Sequence, residues 1–285
     1  MKFRYTRFPL MLLTFFGLGC SPKDSATDNE PKYDAEHSAS ARAETSTKEK
    51  LAGSQSVIQA NAQRFENMGK HEHKISTESP DAQEYFNQGL TWLYAFNHAE
   101  AIRSFTRAAE LDENCAMAWW GVSVAAGPHY NLPPMNEQRN LTAWTAMQQA
   151  LDRLENASPL ERSLIEALQS RNPELHPEDR SAFNEAYAKA MRKVWEAHPG
   201  DSDVGTLYAE AMMVRRPWKL YSLNHEPHED TPTILETLES VLKLKPDHPG
   251  ALHLYVHVLE ASGDPSQGLV AADRLCDLVP GSGHL

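Results

Sequence analysis

From Ile75 onward, apolar residues recur at three- and four-residue spacing, and no stretch alternates as a strand would. Between Tyr85 and Gly121 this pattern has a second layer, with small residues set between large ones. Gly89 and Ala101 leave room for two helices to approach closely, and Tyr85, Trp92 and Phe105 fill the space beside them. Helices are expected over about 80–95, 98–111, 115–126, 137–155, 159–170, 179–197, 202–214, 232–244, 249–262 and 265–278. The joints are marked by Asp112-Glu113-Asn114, Gly127-Pro128, Ser158-Pro159, His198-Pro199-Gly200, Pro246 to Gly250 and Gly263-Asp264-Pro265. The expected class is all-α, built from stacked helical hairpins.

The spacing also repeats. Thirty-four residues after Tyr85 stands Trp119, and the same step takes Gly89 to Ser123. Tyr85, Gly89 and Trp92 on one helix, with Ala101, Phe105 and Ala108 on the next, match the large, small and aromatic positions of the tetratricopeptide repeat, which this unit resembles. The proline that often closes such a unit is replaced by Glu113. The resemblance implies an α-α superhelix of about five hairpins over residues 75–285, one clear and the others diverged. Trp119 would take the core slot of the second unit, leaving Trp120 for a groove or a neighbouring repeat. Ala101 follows Gly89 by 12 residues, but Ala143 follows Ser123 by 20, so eight residues are inserted around "GPHYNLPP". A second interruption, "RRPWKLYSLNHEPHEDTP", follows residues 207–213. With "RRPWKLY", "HPGALHLYVHVLEAS" and "LVPGSGHL", the chain is similar to a family of bacterial secreted repeat proteins with no established activity. Members of that family continue past this point, so the chain is expected to be a fragment of a longer protein.

The N-terminus reads differently. Lys2, Arg4 and Arg7 precede an apolar stretch of signal-peptide length that ends in Gly-Leu-Gly-Cys at residues 17–20. This resembles a lipobox, with residues 1–19 removed and Cys20 lipidated, although the leucine is one place closer to the cysteine than usual. An ordinary secretory signal with a chance cysteine is the other reading. Ser21 points to the outer membrane, with the protein facing the periplasm. Residues 20–74 are polar and are expected to form a disordered tether. Removing the leader takes the formal charge from −12 to −15, which excludes nucleic acid as a partner and leaves the lipid as the membrane attachment. Cys115 and Cys276 fall in apolar helical patterns and are expected as small core residues.

Chemistry is concentrated in "HLYVHVLE". His253, His257 and Glu260 share one helix face, within roughly 40°. Two imidazoles and a carboxylate so spaced can hold zinc or a similar divalent ion, with a further ligand from His284, His98 or His129. The alternative is that these histidines serve packing and backbone hydrogen bonds. His98 follows Asn97, and either residue can cap a helix. His129 and Tyr130 lie in the first insertion; Arg216 and Trp218 open the second. Loops that interrupt a repeat are good places for function, and Arg216 with Trp218 suits a carboxylate beside a flat apolar group, unless the pair only plugs the array. "HEPHED" reads as a solvated loop. No catalytic triad order, cysteine nucleophile context or phosphate loop is visible, so the motifs leave the question of an enzyme open and favour a binding protein. The leading expectation is a lipid-anchored scaffold in the cell envelope, binding a protein or peptide through Asn97, His98, His129, Tyr130, Arg216 and Trp218, with no cofactor. The alternative is a metal-dependent enzyme or metal-handling protein using His253, His257 and Glu260.

Overall fold

A computed structural model describes residues 62–175 and 179–285. The leader, Cys20 and the first part of the expected tether lie outside the described residues. Among the described residues there are ten α-helices, two short 3-10 turns and no strand. We number the helices α1 (Pro80–Tyr94), α2 (His98–Leu111), α3 (Ala116–Ala126), α4 (Glu137–Leu151), α5 (Pro159–Gln169), α6 (Ser181–Ala197), α7 (Ser202–Met213), α8 (Thr231–Leu244), α9 (Pro249–Leu259) and α10 (Leu269–Leu275). None is long and apolar enough to cross a membrane.

Local chemistry sets the helix ends. The Ser79 hydroxyl accepts from the Ala82 N–H, with Pro80 at the first helical position of α1. Asn97 caps α2 by accepting from the Glu100 N–H, and Asn136 caps α4 through the Arg139 N–H. Ser158 and Glu161 form a reciprocal capping box on α5. The expected last helix is shorter than its pattern: Pro265–Gly268 form a 3-10 turn, and only Leu269–Leu275 are α-helical. Cys276 is therefore exposed just past α10, whereas Cys115 is buried as expected. Burial raises the Cys115 thiol pKa to about 11, which keeps it protonated.

Consecutive helices pack in series: α1 on α2, α2 on α3, α3 on α4, and so on to α10. The glycines show why. A Cβ on Gly89 would lie 2.7 Å from the Phe105 ring, and one on Gly121 would lie 2.5 Å from it. Phe105 is thus clasped between α1 and α3, and the first pair is locked to the second. Gly250 plays the same part further on, where a Cβ would meet the Tyr94 ring at 2.5 Å. That close approach lets α9 pack against both α1 and α7, bringing the last pair back onto the first.

Two expectations are corrected here. Trp119 is half-buried beneath the Arg153 guanidinium, while Trp120 is 1% exposed and fills the core. The 34-residue step survives: Tyr85 and Trp119 both lie under an arginine, and Phe86 and Trp120 are both buried. The faces were unreadable because α3 is buried almost all round, so its apolar pattern has no polar side to give direction. Residues 62–74, expected within the tether, are packed on the helices instead. Residues 62–79 run along α1 without helix or strand, with the Phe65 N–H donating to Gln88 Oε1 and the Gln88 amide to the Gln63 carbonyl. The segment also meets the C-terminal tail, where the Gly281 N–H donates to the Asn67 carbonyl at 2.8 Å.

Candidate metal centre

His253 and His257 stand one turn apart on α9. His253 Nδ1 lies 2.6 Å from the Tyr94 carbonyl, which can only accept, so Nδ1 carries the proton. His257 Nδ1 lies 3.0 Å from Glu260 Oε1 and donates in the same way. Each ring therefore turns a lone pair outward from Nε2. These two Nε2 atoms face one another at 3.0 Å. Two bare acceptors at that distance repel unless a cation or a proton lies between them. Protonation is disfavoured at His253, whose pKa is lowered to about 3 by burial and then by His257. A metal ion resolves the conflict: two imidazoles on one tetrahedral zinc place their nitrogens about 3.3 Å apart.

The tail adds a third imidazole. Val279 is buried, and the segment after it turns His284 toward α9. Ligand nitrogens of His253, His257 and His284 lie within 4.8 Å of one another. Phe96 floors the centre, its ring stacked on His257 at 5.4 Å and tilted against His253 at 4.4 Å and His284 at 5.9 Å. This residue sits at φ 55°, a left-handed conformation that costs a phenylalanine roughly 1–2 kcal/mol. The strain turns the chain from α1 into α2 and points the ring at the histidines.

The same ring meets His98 and His129, each at 5.9 Å. Those two imidazoles stack at 3.6 Å between centroids. His98 Nδ1 donates to the Phe96 carbonyl at 2.9 Å. Burial is the main cause of the low pKa values of both, about 4 for His98 and about 2 for His129. They are neutral at pH 7, so the stack carries no charge repulsion. Tyr130 and Trp218 complete the wall, 5.8 and 6.2 Å from His257.

The fold thus brings together His98, His129, Tyr130, Trp218, His253 and His257 from four separate stretches of chain. It does not bring Glu260 to the metal position. Glu260 lies just past the last residue of α9, and its carboxylate reaches the Nδ1 side of His257, away from Nε2. It orients the His257 ring and does not reach its Nε2 side. Asn97 and Arg216 are also elsewhere: the first caps α2, and the Arg216 Nε is 3.7 Å from Asp230.

A second histidine cluster escaped the sequence reading, because two members lie in the expected tether. Asp203 Oδ1 accepts from His71 Nε2 at 2.9 Å, His248 Nε2 at 3.2 Å and the Tyr94 hydroxyl at 2.6 Å, and Oδ2 accepts from His73 Nδ1 at 3.0 Å. The far nitrogens are occupied too. His248 Nδ1 accepts from the Ala251 N–H as the cap of α9, and His71 Nδ1 accepts from Lys245 Nζ. Every proton in this hub has a place, whereas the facing pair on α9 needs a proton or a cation between its two Nε2 atoms. The Asp203 hub is self-sufficient as a structural network; the α9 cluster leaves nitrogens that could hold a metal ion. The available signal was His-Pro at residues 248 and 249, a capping histidine before a first-turn proline.

Comparison with known proteins gives neither a matching family model nor a matching curated protein.

Proposed function

We propose that this chain is a tetratricopeptide-type helical array that binds a divalent transition-metal ion, zinc by ligand preference, through His253, His257 and His284. The observation that carries the reading is the pair of facing Nε2 atoms, 3.0 Å apart, whose rings both have Nδ1 committed to an oxygen. The repeat assignment rests on the clasp of Phe105 by Gly89 and Gly121 and on the 34-residue step between equivalent aromatics. Three neutral imidazoles leave a fourth tetrahedral position for water or a substrate group, the pattern of an open zinc site. Glu260 and the Tyr94 carbonyl hold the first two rings in the ligating tautomer, a second layer worth about 10- to 100-fold in affinity. The setting is the cell envelope, with attachment through Cys20.

The peptide-scaffold reading finds less support in the geometry. The packing of α9 on α1 and α7 narrows the face on which an extended peptide would lie. Asn97 and Arg216 are also spent on a cap and an ion pair.

Equilibrium dialysis of chelator-treated protein against zinc, read by elemental analysis, tests the proposal. One ion per chain is expected, lost in His257→Ala and in His284→Ala. Glu260→Gln should weaken binding about 10- to 100-fold without abolishing it. Stoichiometric zinc in the native protein and in both alanine variants alike would place the ion elsewhere.

A further inference from the structure

His284 lies on no helix. It follows a turn in which the Ser282 N–H donates to the Val279 carbonyl at 2.9 Å, and it is itself exposed. Its ring stands 4.9 Å from that of His253 and 5.9 Å from that of Phe96. A side chain on an exposed tail reaches a fixed point only if the backbone beneath it is held. This turn is held against residues 66–69, where the Gly281 N–H donates to the Asn67 carbonyl at 2.8 Å. Backbone meets backbone here, with a glycine on each side. A Cβ on Gly281 would lie 2.8 Å from the Glu66 carbonyl oxygen and 3.0 Å from that of Asn67. A Cβ on Gly69 would lie 2.5 Å from the Leu278 carbonyl oxygen and 3.4 Å from the Val279 side chain. Gly283, next to the imidazole, is different: a Cβ there would meet nothing within 4 Å.

Residues 66–69 are braced from both sides. Upstream, the Phe65 N–H donates to Gln88 Oε1 on α1. Downstream, His71 and His73 donate to the Asp203 carboxylate on α7 at 2.9 and 3.0 Å. Between these anchors the backbone is left-handed at Asn67, φ 62°, and at Gly69, φ 77°. Glycine and asparagine adopt that region more readily than other residues. The bend presents the Glu66 and Asn67 carbonyls to the tail.

We infer that residues 66–69 are a positioning bracket for His284, so that docking of the tail and binding of zinc form one coupled equilibrium. The inference rests on the metal reading above. Its physics is linkage: an ion held by all three imidazoles favours the docked tail, and the docked tail raises zinc affinity by the same factor. Undocking leaves His253 and His257 in place, because Tyr94 and Glu260 set their tautomers. The N-terminal segment therefore governs one ligand of three, and a change in residues 66–69 adjusts affinity without touching the pair on α9.

The test joins zinc titration with amide hydrogen exchange on the whole chain. In metal-free protein, Gly69→Ala and Gly281→Ala should each speed exchange across residues 278–283. Both should weaken zinc binding by about fivefold or more. In the His284→Ala background, neither should change the weak binding left to His253 and His257 by more than about twofold. Gly283→Ala should behave as the parent does. Zinc should slow exchange in the parent's tail and at residues 66–69, and should not do so in His284→Ala. A loss of affinity that persists in His284→Ala would mark damage to the helix pair and overturn the inference. Unchanged affinity, or unchanged tail exchange, in both glycine variants would overturn it too, and would leave the metal site standing where the parent takes up one ion. A parent that takes up no zinc, with a tail freed by Gly281→Ala, would remove the metal site and the coupling with it, leaving only the docked tail.

Discussion

Asp203 shows how one buried charge can organise a fold. Burial alone would raise its pKa, but the donors His248, His71 and His73 outweigh it and hold the carboxyl well below its ordinary value of 3.8. A depressed acid stabilises the fold above its unfolded value and loses that contribution as pH falls through the folded one. His248 adds to the same acid limb: burial lowers its pKa despite Asp203, so acidification below 6.5 favours the unfolded chain. His73 has the opposite sign. Burial lowers its pKa, but Asp203 reverses this and raises it above 6.5, so its contribution is complete below 6.5 and fades as pH rises through the folded value. Asp203→Asn leaves a buried amide facing four donors and should cost about 3–5 kcal/mol in urea unfolding at pH 7. Its stability should also fall less than the parent's between pH 5 and pH 3. A loss below 1 kcal/mol would mean that the hub does not hold the N-terminal segment to the helices.

At the scale of the elements, the clasp of Phe105 ties the first helical pair to the second. Phe105→Ala empties a fully buried site between Gly89 and Gly121 and should cost about 3–5 kcal/mol. Gly121→Ala pushes a methyl into the same ring and should cost about 1–3 kcal/mol, despite the better helix propensity of alanine. Thermal unfolding of both distinguishes a packed joint from a loose one, for which Gly121→Ala would be neutral or stabilising. This joint was legible in the sequence because a small residue opposite a large one at helical spacing leaves few other arrangements. Most helix ends were legible too, since Ser79-Pro80, Asn97, Asn136 and Ser158-Pro159 cap by their own chemistry. The choice between Trp119 and Trp120 was not, because a helix buried on every side carries no directional pattern. Residues 62–74 were also missed: their composition is polar, and what orders them is hydrogen bonds to Gln88, Asn87 and Asp203, far along the chain.

For the whole molecule, the return of α9 onto α1 decides the chemistry. Histidines that are 155 residues apart in sequence, such as His98 and His253, meet around one phenylalanine only because the array curls back. The pair on α9 was readable from its four-residue spacing. Its tautomers were not, since they depend on Tyr94 from the first helix and on Glu260 lying past the helix end. The curled arrangement of helices turns three imidazoles toward one point. X-ray absorption at the zinc edge, on protein loaded with one equivalent of zinc, tests it most directly. The expected shell contains three imidazole nitrogens at about 2.0–2.1 Å, reduced to two in His284→Ala. A shell of oxygens without imidazole scattering, or a spectrum unchanged in His284→Ala, would contradict it.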